Sequence, residues 1–133
     1  MALAESPTVG VILPCTGFHM DGRFARAGFF VDQGGAVALA TDCNPISAPG
    51  HSMPFAVALA VRRCGLMPQE AIAASTVNAA ALLGLTDRGT VEIGKRADLI
   101  LLRHTDERIL AYEVGGNPVD LVVCCGKRVG ESL

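Results

Sequence analysis

Residues 36–47, A-V-A-L-A-T-D-C-N-P-I-S, carry the types best suited to chemistry in this chain. A short apolar run stops abruptly at Asp42 and gives way to a polar loop. In parallel α/β folds the carboxyl ends of strands hold the reactive groups, because loops there can vary while the strands stay rigid. An ionised carboxylate at such an end can ligate a divalent metal, or take the proton from a metal-bound water. Asp42 is therefore the candidate metal and catalytic residue. Ordinary loop chemistry makes the same pattern, with Asp42 capping a turn and Asn44 and Ser47 bonding local backbone amides. On the residues alone both readings stand.

The other polar candidates are weaker. His19 follows the first apolar run and is expected in a loop, solvated. His51 precedes a helix and His104 follows a strand, which suits surface or capping roles. Asp98, in K-R-A-D-L, is expected to bond turn amides. Thr76 and Asn78 read as helix-packing and hydrogen-bonding residues, since no general base lies near them in sequence. Cys15, Cys43, Cys64, Cys124 and Cys125 are an odd set without C-x-x-C spacing, so free thiols in a reducing compartment are expected. Adjacent Cys124 and Cys125 in a strand point to opposite faces, which disfavours shared metal ligation.

The elements that must position Asp42 are legible from periodicity. Residues 8–13 and 36–40 are short β-branched runs suited to buried strands. Between them Phe24, Ala27, Gly28 and Val31 make a helical stripe closed by Gly34-Gly35. Strand, helix, strand predicts a parallel pair with a right-handed crossover. Ser52 caps a largely apolar helix that ends near Arg62, Arg63 and Gly65. A further helix starts at Pro68, with Ile72, Thr76, Ala79 and Leu83 as its inner stripe and Gly84 as its stop. From Gly89 the pattern changes to short strands over residues 90–93, 98–103 and 121–125. The expected division is 1–87, an α/β part, and 88–133, a small β part. Two parallel strands make no stable open sheet, so further sheet neighbours are implied.

Composition sets the outer bounds. Half of the 133 residues are apolar, enough for a core without disulfides, and the formal charge is -2. With a pI near 5.8 there is no footprint for nucleic acid or an anionic membrane, and a small neutral or acidic metabolite is the expected partner. No apolar run approaches the roughly 20 residues that cross a bilayer. The opening residues carry no secretion signal, and a cytoplasmic location is expected.

Four stretches together carry a resemblance over nearly the whole chain: A-L-A-T-D-C-N-P, H-S-M-P-F-A-V-A-L-A-V-R, A-S-T-V-N-A-A-A-L-L-G and G-T-V-E-I-G-K-R-A-D-L-I-L-L. They resemble the end of the amidohydrolase superfamily, and D-C-N-P followed by S-M-P-F resembles its imidazolonepropionase branch. The resemblance implies an α/β fold, the C-terminal part of a metal-dependent hydrolase (β/α)8 barrel plus part of a small β-sandwich. Units 1–87 and 88–133 then correspond to the last two β/α units with an extra helix and to the sandwich share.

By the same resemblance Asp42 matches the metal-binding aspartate that closes the barrel, Asn44 a substrate-contacting amide, and Ser47 a hydroxyl lining the substrate pocket. Asn44 both donates and accepts, which matches a cyclic amide or a propionate tail. Ile46 stands where the family usually has Gly, which alters close backbone approach to substrate. The implied reaction is hydrolysis of the C-N bond of 4-imidazolone-5-propanoate to N-formimidoyl-L-glutamate in histidine degradation, with Zn or Fe as cofactor. The family's H-x-H pair and its further His and Glu ligands do not occur in this chain. A catalytic zinc takes about three protein ligands, so the chain alone is expected to be inactive and to hold metal poorly. The alternatives are another cyclic-amide hydrolase, a formimino deaminase, or a non-catalytic assembly fragment. A homo-oligomer and pairing with the missing barrel portion are both open.

Overall fold

In the computed structural model, which describes residues 3–130, the two apolar runs form β1 (Val9–Ile12) and β2 (Ala36–Leu39). They pair in parallel, with Val9 beside Ala36 and Ile12 beside Leu39. Val37, Ala38 and Leu39 are all buried, as befits a strand covered on both faces. Full burial of a Val or Leu side chain stabilises by roughly 1.5–3 kcal/mol, so β2 is anchored through its side chains on either side of the sheet. In β1 only Ile12 is buried, and Val11 remains 51% exposed. This pair is the whole parallel sheet among the described residues.

The connection between the strands differs from the expected single helix. Pro14 ends β1 but also occupies the first position of α1 (Pro14–His19), where its missing N-H costs nothing. His19 is accordingly the last residue of a helix and not a loop residue. The crossover helix α2 (Ala27–Asp32) begins later than the stripe from Phe24 suggests. Phe24 instead packs against the core edge, with the Arg63 guanidinium 4.5 Å over its ring.

α3 (Met53–Cys64) is the central helix. Ser52 caps it by accepting the Phe55 N-H at 3.3 Å, and Gly65 ends it in the left-handed conformation with φ 76°. Ala56, Ala58 and Ala60 have no exposed surface, and α1, α4 and α6 pack around this helix. Ser52→Ala is expected to lower the unfolding free energy by about 1 kcal/mol in a denaturant titration, and an unchanged midpoint would show the cap to be idle.

The helix expected from Pro68 is two helices, α4 (Pro68–Ser75) and α5 (Val77–Leu82), broken at Thr76 with φ -125° and ψ -93°. The hydroxyls of Ser75 and Thr76 donate back to the Ile72 carbonyl at 3.0 and 2.7 Å, offering the backbone an alternative to the helix ladder. The break turns Asn78 towards the sheet, where its amide donates to the Val37 carbonyl at 2.9 Å. Both helices pack on β2.

No regular element lies between Leu82 and Leu99. The strand expected over 90–93 is absent: no described strand pairs with that segment, and the Val91 and Ile93 side chains are 85% and 107% exposed. Beyond it β3 (Leu99–Leu102), β4 (Val119–Cys124) and β5 (Lys127–Val129) form an antiparallel sheet in sequence order, β5 being an element the periodicity did not reveal. A short helix, α6 (Ile109–Tyr112), interrupts this half and returns to the first. Leu110 and Ala111 join the main core, and Arg62 donates to the carbonyls of Ala111 and, at 3.0 Å, Tyr112. The parallel strands precede Asp87 and the antiparallel strands follow it, whereas the core includes residues from both sides of that point.

Candidate active site at the end of β2

The β1–β2 ladder reaches one step past the strands, with the Ala40 N-H donating to Ile12 at 3.2 Å. Two residues later Asp42 adopts φ 55°, a left-handed conformation that Asp tolerates better than most side chains. This turns the chain sharply away from the sheet. Asp42 thus sits at the carboxyl end of a parallel strand, half-buried.

Its carboxylate is held from one side. Thr16, on α1 just beyond the end of β1, donates its hydroxyl to Asp42 Oδ2 at 2.7 Å, and the Ser47 hydroxyl lies 3.3 Å from the same oxygen. Asp42 Oδ1 accepts no hydrogen bond from the described residues. One oxygen is therefore oriented and the other left for a cation or a proton. Thr16 carries this orientation although the residues alone did not single it out. The available signal was its place: a hydroxyl just after the strand that neighbours β2.

Asn44 organises the loop. Its Nδ2 donates to the Asp42 carbonyl at 2.6 Å and to Ser47 Oγ at 2.8 Å, and its Oδ1 accepts from the N-H groups of Ile46 and Ser47 at 3.0 and 2.8 Å. The Asn44 N-H closes the turn on the Ala48 carbonyl at 3.0 Å. Both amide hydrogens are thus committed within the loop. Asp42, Asn44 and Ser47 form one connected network, which includes the Asx-type bonding that loop chemistry predicts. Ile46, 79% exposed, projects away from it.

Beside the loop lies a cavity of about 230 Å³, walled by Cys15, Phe18, His19 and Phe55 and by residues 48–50. The rings of Phe18 and Phe55 meet edge to face at 5.3 Å and form its apolar side. Burial pushes the Cys15 thiol above its ordinary pKa, so it lines the wall as a neutral group. Exposed His19 stands at the lip.

The donor chemistry fits one metal ligand. Asp42 offers a hard carboxylate oxygen at fixed orientation, but among the described residues no group of three His, Cys, Asp or Glu ligand atoms gathers around it. His51 and His104 are exposed in other parts of the fold, and Asp98 accepts the Cys125 N-H at 2.8 Å in the turn role expected of it.

The chain has a parallel strand pair covered by helices, an aspartate at its carboxyl end and a small antiparallel sheet downstream, and its family match and solved neighbours support a metal-dependent hydrolase fold. Residues 22–129 match the amidohydrolase family, and the chain belongs to that family. The sequence is 49% identical to the imidazolonepropionase of Deinococcus deserti over 128 residues, 96% of this chain and 32% of that protein. It is 47% identical to the imidazolonepropionase of Deinococcus radiodurans over the same proportions. The chain therefore spans about a third of the length of the curated relatives it matches. Among solved structures, an adenosine deaminase from Xanthomonas campestris with bound zinc superposes with a TM-score of 0.81 at 23% identity, over 95% of this chain and 33% of that one. An amidohydrolase from Thermotoga maritima gives a TM-score of 0.69 at 26% identity, over 97% and 33%.

Proposed function

We propose that this chain is the C-terminal third of an imidazolonepropionase, contributing the last two strands of a (β/α)8 barrel and the C-terminal share of a β-sandwich. The whole enzyme opens the ring of 4-imidazolone-5-propanoate at a C-N bond and yields N-formimidoyl-L-glutamate. The observation that carries this reading is Asp42, held by Thr16 at 2.7 Å at the carboxyl end of a parallel strand, with its second oxygen open. The near-50% identity to imidazolonepropionases supports the substrate.

Asp42 would be one of the residues that hold a zinc or iron ion, which when bound would supply a water of lowered pKa. Asp42 Oδ1, which no described donor occupies, would ligate that ion or take a proton, while Thr16 and Ser47 hold the carboxylate against rotation. Ser47 lines the substrate side with its hydroxyl. Asn44 acts mainly by fixing Ser47 and the Asp42 carbonyl, and a direct contact from its amide to substrate requires exchange of one of those bonds.

The remaining ligands come from another stretch of polypeptide. Val11 at 51%, Phe18 at 61% and Ile93 at 107% exposure lie on the surfaces that the rest of a barrel and sandwich would cover. This favours pairing with the remainder of the enzyme over an assembly role on its own.

The product distinguishes this reading from deamination. When the chain is part of a complete enzyme, incubation with 4-imidazolone-5-propanoate is expected to release N-formimidoyl-L-glutamate with no ammonia. Ammonia in equal amount to substrate consumed would transfer the assignment to a deaminase.

A further inference from the structure

The strand expected to run through both Cys124 and Cys125 ends between them. Cys124 is the last residue of β4 and pairs with Lys127, leaving Cys125 and Gly126 as a two-residue hairpin turn with φ 51° and 77°. Positive φ at both positions is the pattern that favours Asn-Gly or Asp-Gly, so a cysteine at the first position is locally disfavoured. Its effect is to swing the second thiol beside the first. The two sulfurs lie 4.0 Å apart, both exposed and both free.

A third donor meets them. Asp98, immediately before β3, places a carboxylate oxygen so that all three ligand atoms fall within 4.8 Å of one another. Its position is fixed by the Cys125 N-H at 2.8 Å on Oδ1 and by Arg88 at 3.3 Å on Oδ2. The Gly126 N-H donates to the Ala97 carbonyl at 3.0 Å and ties the hairpin to the same turn. Among the described residues this is the only such convergence of three ligand-type side chains, and it lies on the antiparallel sheet, apart from Asp42.

We propose that Cys124, Cys125 and Asp98 form a binding site for one divalent thiophilic cation of the zinc type. With metal-sulfur bonds of about 2.3 Å, tetrahedral coordination sets two sulfurs about 3.8 Å apart, close to the spacing already present. Binding releases the thiol protons to solvent. Two thiolates and a carboxylate around a dication leave one net negative charge, and the Arg96 guanidinium, 3.7 Å from Cys125 Sγ, compensates it. Water completes the fourth position. The ion clasps the β4–β5 hairpin to the turn before β3.

The test is titration of the reduced full chain with Cd²⁺ alone, read by calorimetry and by thiolate-to-metal charge-transfer absorption. One ion per chain and a charge-transfer band are expected. Cys124→Ser and Cys125→Ser should each abolish most of the band and weaken binding by roughly 100-fold, and Asp98→Asn, which keeps an acceptor for the Cys125 N-H, by roughly tenfold. Cys43→Ser, the remaining exposed thiol, should titrate like the parent. Both substituted cysteines are exposed, so their serine variants are expected to fold, which circular dichroism checks. Parental titration by either Cys124→Ser or Cys125→Ser, or a parent that binds without the band, would overturn the site. Unchanged affinity in Asp98→Asn would overturn the carboxylate as third ligand.

Discussion

Purified by itself, the 133-residue chain is expected to produce no N-formimidoyl-L-glutamate above the uncatalysed rate, and to contribute to turnover once the rest of the barrel is supplied in trans. Ligand counting is the reason. A catalytic zinc takes about three protein ligands and a water, and Asp42 has no two further ligand atoms gathered beside it among the described residues. On the proposed reading, a second polypeptide that covers the exposed side of β1 would restore both the sheet and the ligand set. In that complemented enzyme Asp42→Asn is expected to lower kcat by roughly 10³-fold, the scale of losing a positioned proton acceptor. Asparagine nearly preserves the shape and can still accept from Thr16, so the loss reports charge. Product formation measured by chromatography decides the matter: robust turnover by the isolated chain, or full activity of complemented Asp42→Asn, would sink the account of this site.

The second large effect is on stability and belongs to Gly28. This residue lies in α2 where the helix crosses the end of α3, and a Cβ there would run into the Gly65 carbonyl group, 2.8 Å from its carbon. Gly65 cannot easily yield, because its φ of 76° is the left-handed turn that ends α3. Gly28→Ala is therefore expected to destabilise by about 2–3 kcal/mol, the upper range for overpacking, and to lower Tm by about 10 °C. Gly50→Ala is the control, since its Cβ would meet nothing within 4 Å. Thermal melts followed by circular dichroism test the pair. If Gly28→Ala melts with the parent, the close approach of the two helices is not a constraint.

Much of the framework is legible along the chain because it depends on short-range signals. The β-branched runs became β1 and β2, Ser52 and Gly65 bounded α3, and Pro68 opened α4. Where the reading failed, a tertiary or non-periodic cause prevailed. Thr90 to Ile93 alternates like a strand yet has no strand to pair with among the described residues, so the pattern had nothing to act on. Pro14 punctuated the chain as expected, but whether a loop or a helix follows such a residue is not encoded by the proline itself. The break at Thr76 arises from hydroxyls that bond back to Ile72, a competition that an apolar stripe does not register.

The candidate site divides along the same line. By itself the sequence determined that Asp42 ends a strand and that Asn44 and Ser47 share its loop, because strand period and turn chemistry are local. It also determined the family, since the matching stretches run through most of the chain. Only the tertiary structure decided that Thr16 holds Asp42 Oδ2, that Asn44 spends both amide hydrogens within the loop, and that Cys124, Cys125 and Asp98 converge. Thr16 and Asp42 are 26 residues apart, and Asp98 and Cys125 are 27 apart. Contacts at that separation depend on how strands register and where a hairpin turns, and a hydrogen bond or a metal-ligand distance is satisfied within a few tenths of an ångström that periodicity does not resolve.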